Sequence, residues 1–174
     1  MNTLVIVAHP DMENSRINKI LMNGLGGMGG VTIHQIYEDY PDYKIDVKKE
    51  QNLLRKADTI VFQFPFYWYS VPPLLKKWMD DVLEYGFAYG SKGTALKGKK
   101  FFIVTSTGGP AEAYAHGGYN HFTISELLRP FEQTANLTQM AYMEPFVVHG
   151  ARTISDDELE KRKNDYRKLI AELE

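Results

Sequence analysis

The sequence predicts an α/β fold: a five-stranded parallel sheet with helices on both faces. Two patterns lead there. Short continuous apolar runs recur along the chain and mark strands buried on both faces. Between them lie segments whose apolar residues repeat at helical spacing. The two periods alternate, strand then helix, as a doubly wound sheet requires. At 174 residues and 19.9 kDa the chain fits one domain, and no linker or internal repeat divides residues 1–174.

Leu4 to Ala8 is the first buried strand, and Ile17, Ile20, Leu21 and Leu25 place a helix over 15–25. Val31 to Tyr37 reads as a strand, and 46–57 as a helix with Asp46 as its N-cap. Thr59 to Phe64 is the third strand. Pro72-Pro73 then opens a helix to about Tyr85, with Leu75, Trp78, Met79, Val82 and Leu83 as its apolar stripe. Phe101 to Thr105 is the fourth strand and 123–135 a helix. Residues 140–148 form the fifth strand, interrupted by Pro145. Ser155 with Glu158 three residues on is a capping-box pattern for a last helix running nearly to Glu174.

Composition narrows the function. Twenty Lys and Arg against 22 Asp and Glu give a net charge of −2, which removes the electrostatic case for a nucleic-acid partner. The chain has no cysteine, so disulfides, thiolate metal sites and a cysteine nucleophile are excluded. The apolar run at the start stops at His9 and has no basic flank, so neither a signal peptide nor a membrane span is expected. The expected location is the cytoplasm.

Sheets of this kind bind ligands beyond the carboxyl ends of their strands. That directs attention to the loops 9–18, 65–72 and 106–121. Gly24 to Gly29 matches the GxGxxG dinucleotide pattern, but it follows a helix and precedes a strand, so it reads as a helix end and turn. In the first loop, Ser15 and Asn18 can donate to phosphate oxygens, Arg16 adds a positive charge, and the helix start offers free amides. Equally, Ser15 could simply cap that helix and His9 fill a strand end. The second loop belongs to a stretch, Phe62 to Tyr69, with six of the chain's 22 aromatics. Pro65, Phe66, Tyr67, Trp68 and Tyr69 lie past the strand, where they suit the edge of a planar heteroaromatic ligand or a subunit interface. In the third, Ser106, Thr107, Gly108 and Gly109 let the backbone approach a flat ring, and Tyr114, His116 and His121 follow as proton-capable side chains. The spacing of His116 and His121 does not suit a metal, and no metal site is expected.

With these loops identified, the sequence resembles the flavodoxin-like NAD(P)H:quinone oxidoreductases of the DT-diaphorase superfamily. AHP at 8–10, SRIN at 15–18, FPFYWYSVPPLLKKWMDDV at 64–82, GFAYG at 86–90 and STGG at 106–109 stand in the family's order. The resemblance covers essentially the whole chain. It is greatest to a small bacterial branch that includes general stress protein 14 and the ancillary oxidoreductases of glutathione-gated potassium efflux systems.

The resemblance implies a flavodoxin-like three-layer sandwich and a flavin held at three places. His9, Ser15, Arg16, Ile17 and Asn18 would meet its phosphate, the segment 65–69 its ring edge, and 106–109 its pyrimidine end. It implies FMN, as in the short branch, with FAD the alternative, and NAD(P)H as co-substrate. Two electrons would pass in ping-pong fashion to a quinone or similar acceptor. Tyr114 would stabilise charge on the reduced ring, with either His116 or His121. A homodimer is implied, as is peripheral association with a potassium efflux transporter. Two other functions remain open, a regulatory ancillary subunit of such a transporter and a flavodoxin-type electron carrier.

Overall fold

The computed structural model describes residues 1–173. Its centre is three parallel strands that are almost wholly buried: β1 (Thr3–Val7), β3 (Thr59–Pro65) and β4 (Lys100–Ser106). β2 (Val31–Gln35) pairs outside β1, and the short β5 (Ala141–Tyr142) and β6 (Phe146–Val148) both pair with β4, so the order is β2-β1-β3-β4-β5 with β6 beside β4. All pairings are parallel, which gathers the carboxyl ends of the strands on one edge. Successive side chains of a strand serve opposite faces. Val5 and Val7 pack with Ile17 and Leu21 of α1 (Arg16–Gly24) and Leu159 and Tyr166 of α7 (Asp156–Glu172). Leu4 and Ile6 turn to the other face. They join Leu54 of α3 (Val47–Lys56), Leu74, Leu75 and Trp78 of α4 (Pro73–Val82), and Phe131 of α6 (Arg129–Thr138).

Four expected boundaries are corrected. The second strand stops at Gln35, and Tyr37 lies instead in the one-turn α2 (Ile36–Asp39). There its hydroxyl accepts the Leu74 amide at 3.2 Å, at the start of a helix whose Pro72 has no side-chain donor or acceptor to cap it. The helix after Pro73 ends at Val82 rather than Tyr85. The expected helix over 123–135 is two, α5 (Ile124–Leu127) and α6, broken at Leu128 just before Pro130. Pro145, which lacks an amide for the ladder, separates β5 from β6, so the expected fifth strand is two short ones.

The caps follow the sequence closely. Asp46 accepts from the Lys49 amide at 3.0 Å, and Ser155 from the Glu158 amide at 3.2 Å. The reciprocal capping box is made at Thr123 and Glu126 instead. Gly24 to Gly29 is the turn between α1 and β2, and Gly27 has φ +75° there. It lies at the amino edge of the sheet, where the Thr3 amide donates to the Gly30 carbonyl at 2.8 Å, opposite the ligand end.

One buried network ties β2, α2, α3 and α4 together. Glu50 is fully buried and accepts from Trp78 Nε1 at 2.7 Å, Tyr40 OH at 2.5 Å and His34 Nε2 at 2.9 Å. Burial pushes its carboxyl up, but the donors from His34, Tyr40 and Trp78 outweigh this and hold it below the usual range. A depressed native pKa contributes stability above the unfolded carboxylate pKa, and that stability is lost as pH falls through the native value. Glu50→Gln should lower the unfolding free energy by about 3 kcal/mol in urea at pH 7, and the deficit should shrink in acid. An unchanged denaturation midpoint would refute this role for Glu50.

Candidate active site

Three strand ends build the site. After β1, the Ala8 amide donates to the Gln63 carbonyl at 2.9 Å, and the chain turns at His9. His9 Nδ1 accepts the Asp11 amide at 3.1 Å, which leaves Nε2 as the protonated nitrogen of the neutral ring. Burial pulls the His9 pKa below its ordinary value, and the nearby Asp11 charge opposes that shift. Asn14 Nδ2 bonds both carboxylate oxygens of Asp11, at 2.9 and 3.1 Å, and these bonds lower the Asp11 pKa.

Ser15 is the N-cap of α1, yet its side chain makes no capping bond, so the simple capping role is not what it does here. No acidic residue occupies the first turn to offset the helix dipole. Asn18, almost fully buried, donates through Nδ2 to Ser106 Oγ at 3.1 Å, while its Oδ1 is buried without a partner. Arg16 is committed elsewhere. Its guanidinium donates to Asp156 Oδ1 at 2.6 Å and to the Ile154 carbonyl at 2.7 Å, pinning α1 to the start of α7.

After β3, the Phe66 amide donates to the Ser106 carbonyl at 2.9 Å. A tight turn follows, in which the Ser70 amide donates to the Tyr67 carbonyl at 2.9 Å. Its central residues Trp68 and Tyr69 have φ of +47° and +61°, the signs a type I′ turn needs. Each non-glycine residue held there costs roughly 1–2 kcal/mol. The turn nonetheless holds the Trp68 side chain out, 91% exposed.

After β4, the segment 107–109 is held by the chain that leaves β6. The Thr107 amide donates to the Val148 carbonyl at 3.0 Å, Ala151 to Thr107 at 2.9 Å, and Gly150 to Gly109 at 2.9 Å. A Cβ at Gly108 would meet nothing within 4 Å, so this backbone is open to a flat group.

These ends enclose one cavity of about 740 Å³, within the size range of ligand pockets. It is lined by His9, Ser15, Arg16, Ile17 and Asn18 from the first loop, Pro65, Phe66, Tyr67 and Trp68 from the second, and Ser106 and Gly108 from the third. Tyr69, Thr107 and Gly109 do not line it: Tyr69 is exposed and its OH donates to Asn120 Oδ1 at 3.0 Å, and Thr107 is buried. Tyr114 packs beside Phe66, with ring centroids 6.3 Å apart. His116 is 73% exposed and lies 3.5 Å from Glu126, and His121 is exposed at a loop position with φ +63°. None of Tyr114, His116 and His121 lines the cavity, and the histidine against Tyr114 is His149, at 5.6 Å.

Asp11, Asn14 and Ala151 line the cavity as well and were not singled out in the sequence. The first two sit inside the flagged first loop. Ala151 and His149 follow β6, and the loop after every strand end would have included them had Pro145 not obscured where that strand lies.

Comparison with known proteins decides the family, since residues 1–170 match the model for the flavodoxin-like fold. The chain belongs to that family. This flavodoxin-like chain is 50% identical to general stress protein 14 of Bacillus subtilis, over 91% of each chain. It is 44% identical to the glutathione-regulated potassium-efflux system ancillary protein KefG of Pectobacterium carotovorum, over 97% of this chain and 92% of KefG. Among solved structures, a general stress protein 14 from Treponema denticola in complex with FMN superposes with a TM-score of 0.95 at 41% identity, covering all of both chains. An NADPH-quinone reductase from P. pentosaceus does so with a TM-score of 0.90 at 39% identity, covering 97% of each.

The His9 geometry gives a directional test. Its NMR titration should fall below the ordinary histidine pKa, and Asp11→Asn should lower it further by removing the opposing charge. A rise in Asp11→Asn would show that the two side chains do not interact as described.

Proposed function

We propose that this chain is an FMN-dependent oxidoreductase that passes two electrons from NAD(P)H to a quinone or similar acceptor. The observation that carries the reading is the convergence of one unsaturated polar end and one aromatic end on a single cavity. At the polar end, the free amides of α1 and the uncommitted Ser15 hydroxyl fit a phosphate. At the other, Phe66, Tyr67 and Trp68 face the open backbone of Ser106 to Gly108, as the two sides of a flat ring require. The residues therefore fit FMN, and the relative solved with FMN supports it over FAD.

When bound, the flavin would supply reversible hydride chemistry that no side chain here provides. Ser15 and the α1 amides would anchor its phosphate end, Asn18 would hold Ser106 beneath it, and Trp68 and Tyr67 would keep water from the ring. The Gly108 and Gly109 amides and Tyr114 would offset negative charge that develops at the ring's polar edge. One apolar slot serves both substrates in turn, which gives ping-pong kinetics. Tyr85, Tyr119, Phe122 and Trp68 are exposed aromatics that suit a second copy of the chain, so a homodimer is the expected assembly. The likeness to KefG favours a second role, docking of the same protein on a potassium efflux transporter in the cytoplasm. A net charge of −2 gives little support to a pure electron carrier.

Purified protein reconstituted with FMN should show a bound flavin spectrum that bleaches under anaerobic NADPH and returns with a quinone. Bound flavin that NADPH cannot reduce would mean a carrier, and no binding of FMN or FAD would overturn the site. Ser15→Ala and Trp68→Ala should each weaken FMN binding about ten-fold, the loss of roughly one charge-assisted hydrogen bond or one ring contact. Gly27→Ala should leave FMN binding unchanged and cost about 1 kcal/mol of stability, because Gly27 holds positive φ far from the site. Fluorescence titration with FMN measures all three.

A further inference from the structure

The second and third loops of the cavity meet at one place away from its lining. Tyr69 OH donates to Asn120 Oδ1 at 3.0 Å, across 51 positions of the chain. Among the described residues this is the one hydrogen bond between the turn 67–70 and the loop 110–122. Neither partner lines the cavity, so any effect of the bond on a ligand passes through the residues beside it.

The two sides of the bond differ in how firmly they are held. On the Asn120 side the backbone closes on itself. The Asn120 amide donates to the Ala113 carbonyl at 3.1 Å, and the Gly118 amide to the Ala115 carbonyl at 2.9 Å. A Cβ at Gly118 would run into the Glu112 and Ala113 carbonyls, and one at Gly109 into the Tyr119 hydroxyl, so the loop is packed against its own stem. On the Tyr69 side, Trp68 and Tyr69 both hold positive φ, and a single backbone bond from the Ser70 amide to the Tyr67 carbonyl closes the turn. Such residues leave that conformation unless their surroundings restrain them. Tyr69 supplies two restraints, its hydroxyl on Asn120 and its ring edge-on to Phe66 at 6.3 Å.

We propose that Tyr69 and Asn120 are positioning residues whose bond latches the strained turn to the closed loop and so holds Tyr67 and Trp68 at the ring end of the cavity. The inference rests on the flavin reading for the identity of the flat ligand. Phe66, Tyr67 and Trp68 line the cavity, while Tyr69, next in sequence, faces away and holds the three in place. A wall already fixed in its bound pose loses less conformational freedom when the ligand arrives, and the ligand is bound more tightly as a result. Neither latch residue bonds to the first loop, where Ser15 and the α1 amides lie. The effect therefore falls on the ring, with or without a phosphate attached.

Two measurements test this. In the flavin-free protein, Tyr69→Phe and Asn120→Leu should each speed hydrogen exchange of the Ser70 amide by about five-fold, the factor expected for one exposed hydrogen bond. The amides of β3 and β4 should keep their parent rates. Asn120→Asp, which retains the acceptor oxygen, should restore the parent rate at Ser70. Unchanged exchange at Ser70, equal acceleration throughout the sheet, or no restoration in Asn120→Asp overturns the latch. In titrations followed by flavin fluorescence, Tyr69→Phe and Asn120→Leu should weaken FMN and riboflavin alike by about five-fold, and the double variant no further. Asn120→Asp should bind both as the parent does. Losses that add in the double variant, a loss confined to FMN, or parent-like binding by both single variants overturns the inference. A parent protein that binds neither flavin would instead strike the flavin reading, and exchange at Ser70 would then decide the latch by itself.

Discussion

The site depends on a short run of buried hydrogen bonds under its floor. Gln63, in the middle strand and fully buried, donates to the Asn18 carbonyl at 2.9 Å, and Asn18 donates to Ser106 at 3.1 Å. β3, the first turn of α1 and the end of β4 are thereby fixed to one another by buried side chains. A second link runs above it, from Thr105 Oγ1 to the Phe64 carbonyl at 2.8 Å. Unmade polar contacts at such depth cost about 1–3 kcal/mol each, so the loops are held in register by the penalty for separating them. The same run leaves two acceptors, Asn18 Oδ1 and Gln63 Oε1, buried without partners. Both are acceptors, so only a donor group could relieve them, and Asn18 is the one of the two that lines the cavity.

Rigidity beneath makes strain above affordable. The turn at Trp68 and Tyr69 adopts a conformation that favours glycine and asparagine, yet carries two large aromatics. Its stems are secured by Phe66 to Ser106 on one side and by α4, anchored through Tyr37, Trp78 and Glu50, on the other. Tyr69 offsets part of the backbone cost through its bond to Asn120 and its edge contact with Phe66, whereas Trp68 is almost wholly exposed and recovers none. Unfavourable backbone placement that serves no packing purpose marks a surface shaped for something outside the chain.

How much of this the sequence made legible follows from distance along the chain. The sheet and the three loops that line the cavity are readable because each is local: a buried run, then residues unlike core or turn. The false dinucleotide motif was dismissed by the same reasoning, since its neighbours placed it at the wrong edge. Long-range pairings were hidden. Arg16 reads as a free cation until Asp156, 140 residues away, takes its charge. His149 reads as a strand-end residue until Thr107 meets it across 42 positions. His34, Glu50 and Trp78 each read as ordinary members of their elements, and only packing makes them one network.

The commitment of Arg16 also determines how the polar end must work. It is the one cation among the described lining residues, and its charge is already balanced by Asp156. Asp11, on the same rim, is kept ionised by Asn14. An anion here is therefore met by neutral donors, the α1 amides and the Ser15 hydroxyl, with a negative charge on the opposite side. Attraction from neutral dipoles falls off within a turn of helix, whereas repulsion from Asp11 reaches about a Debye length. Under the proposed reading, such a site would select by geometry, accepting a phosphate only where the amides converge and turning it away from the Asp11 side. Long-range charge attraction contributes little, so recognition rests on the hydrogen-bonded floor that holds Asn18 and Ser106 in place.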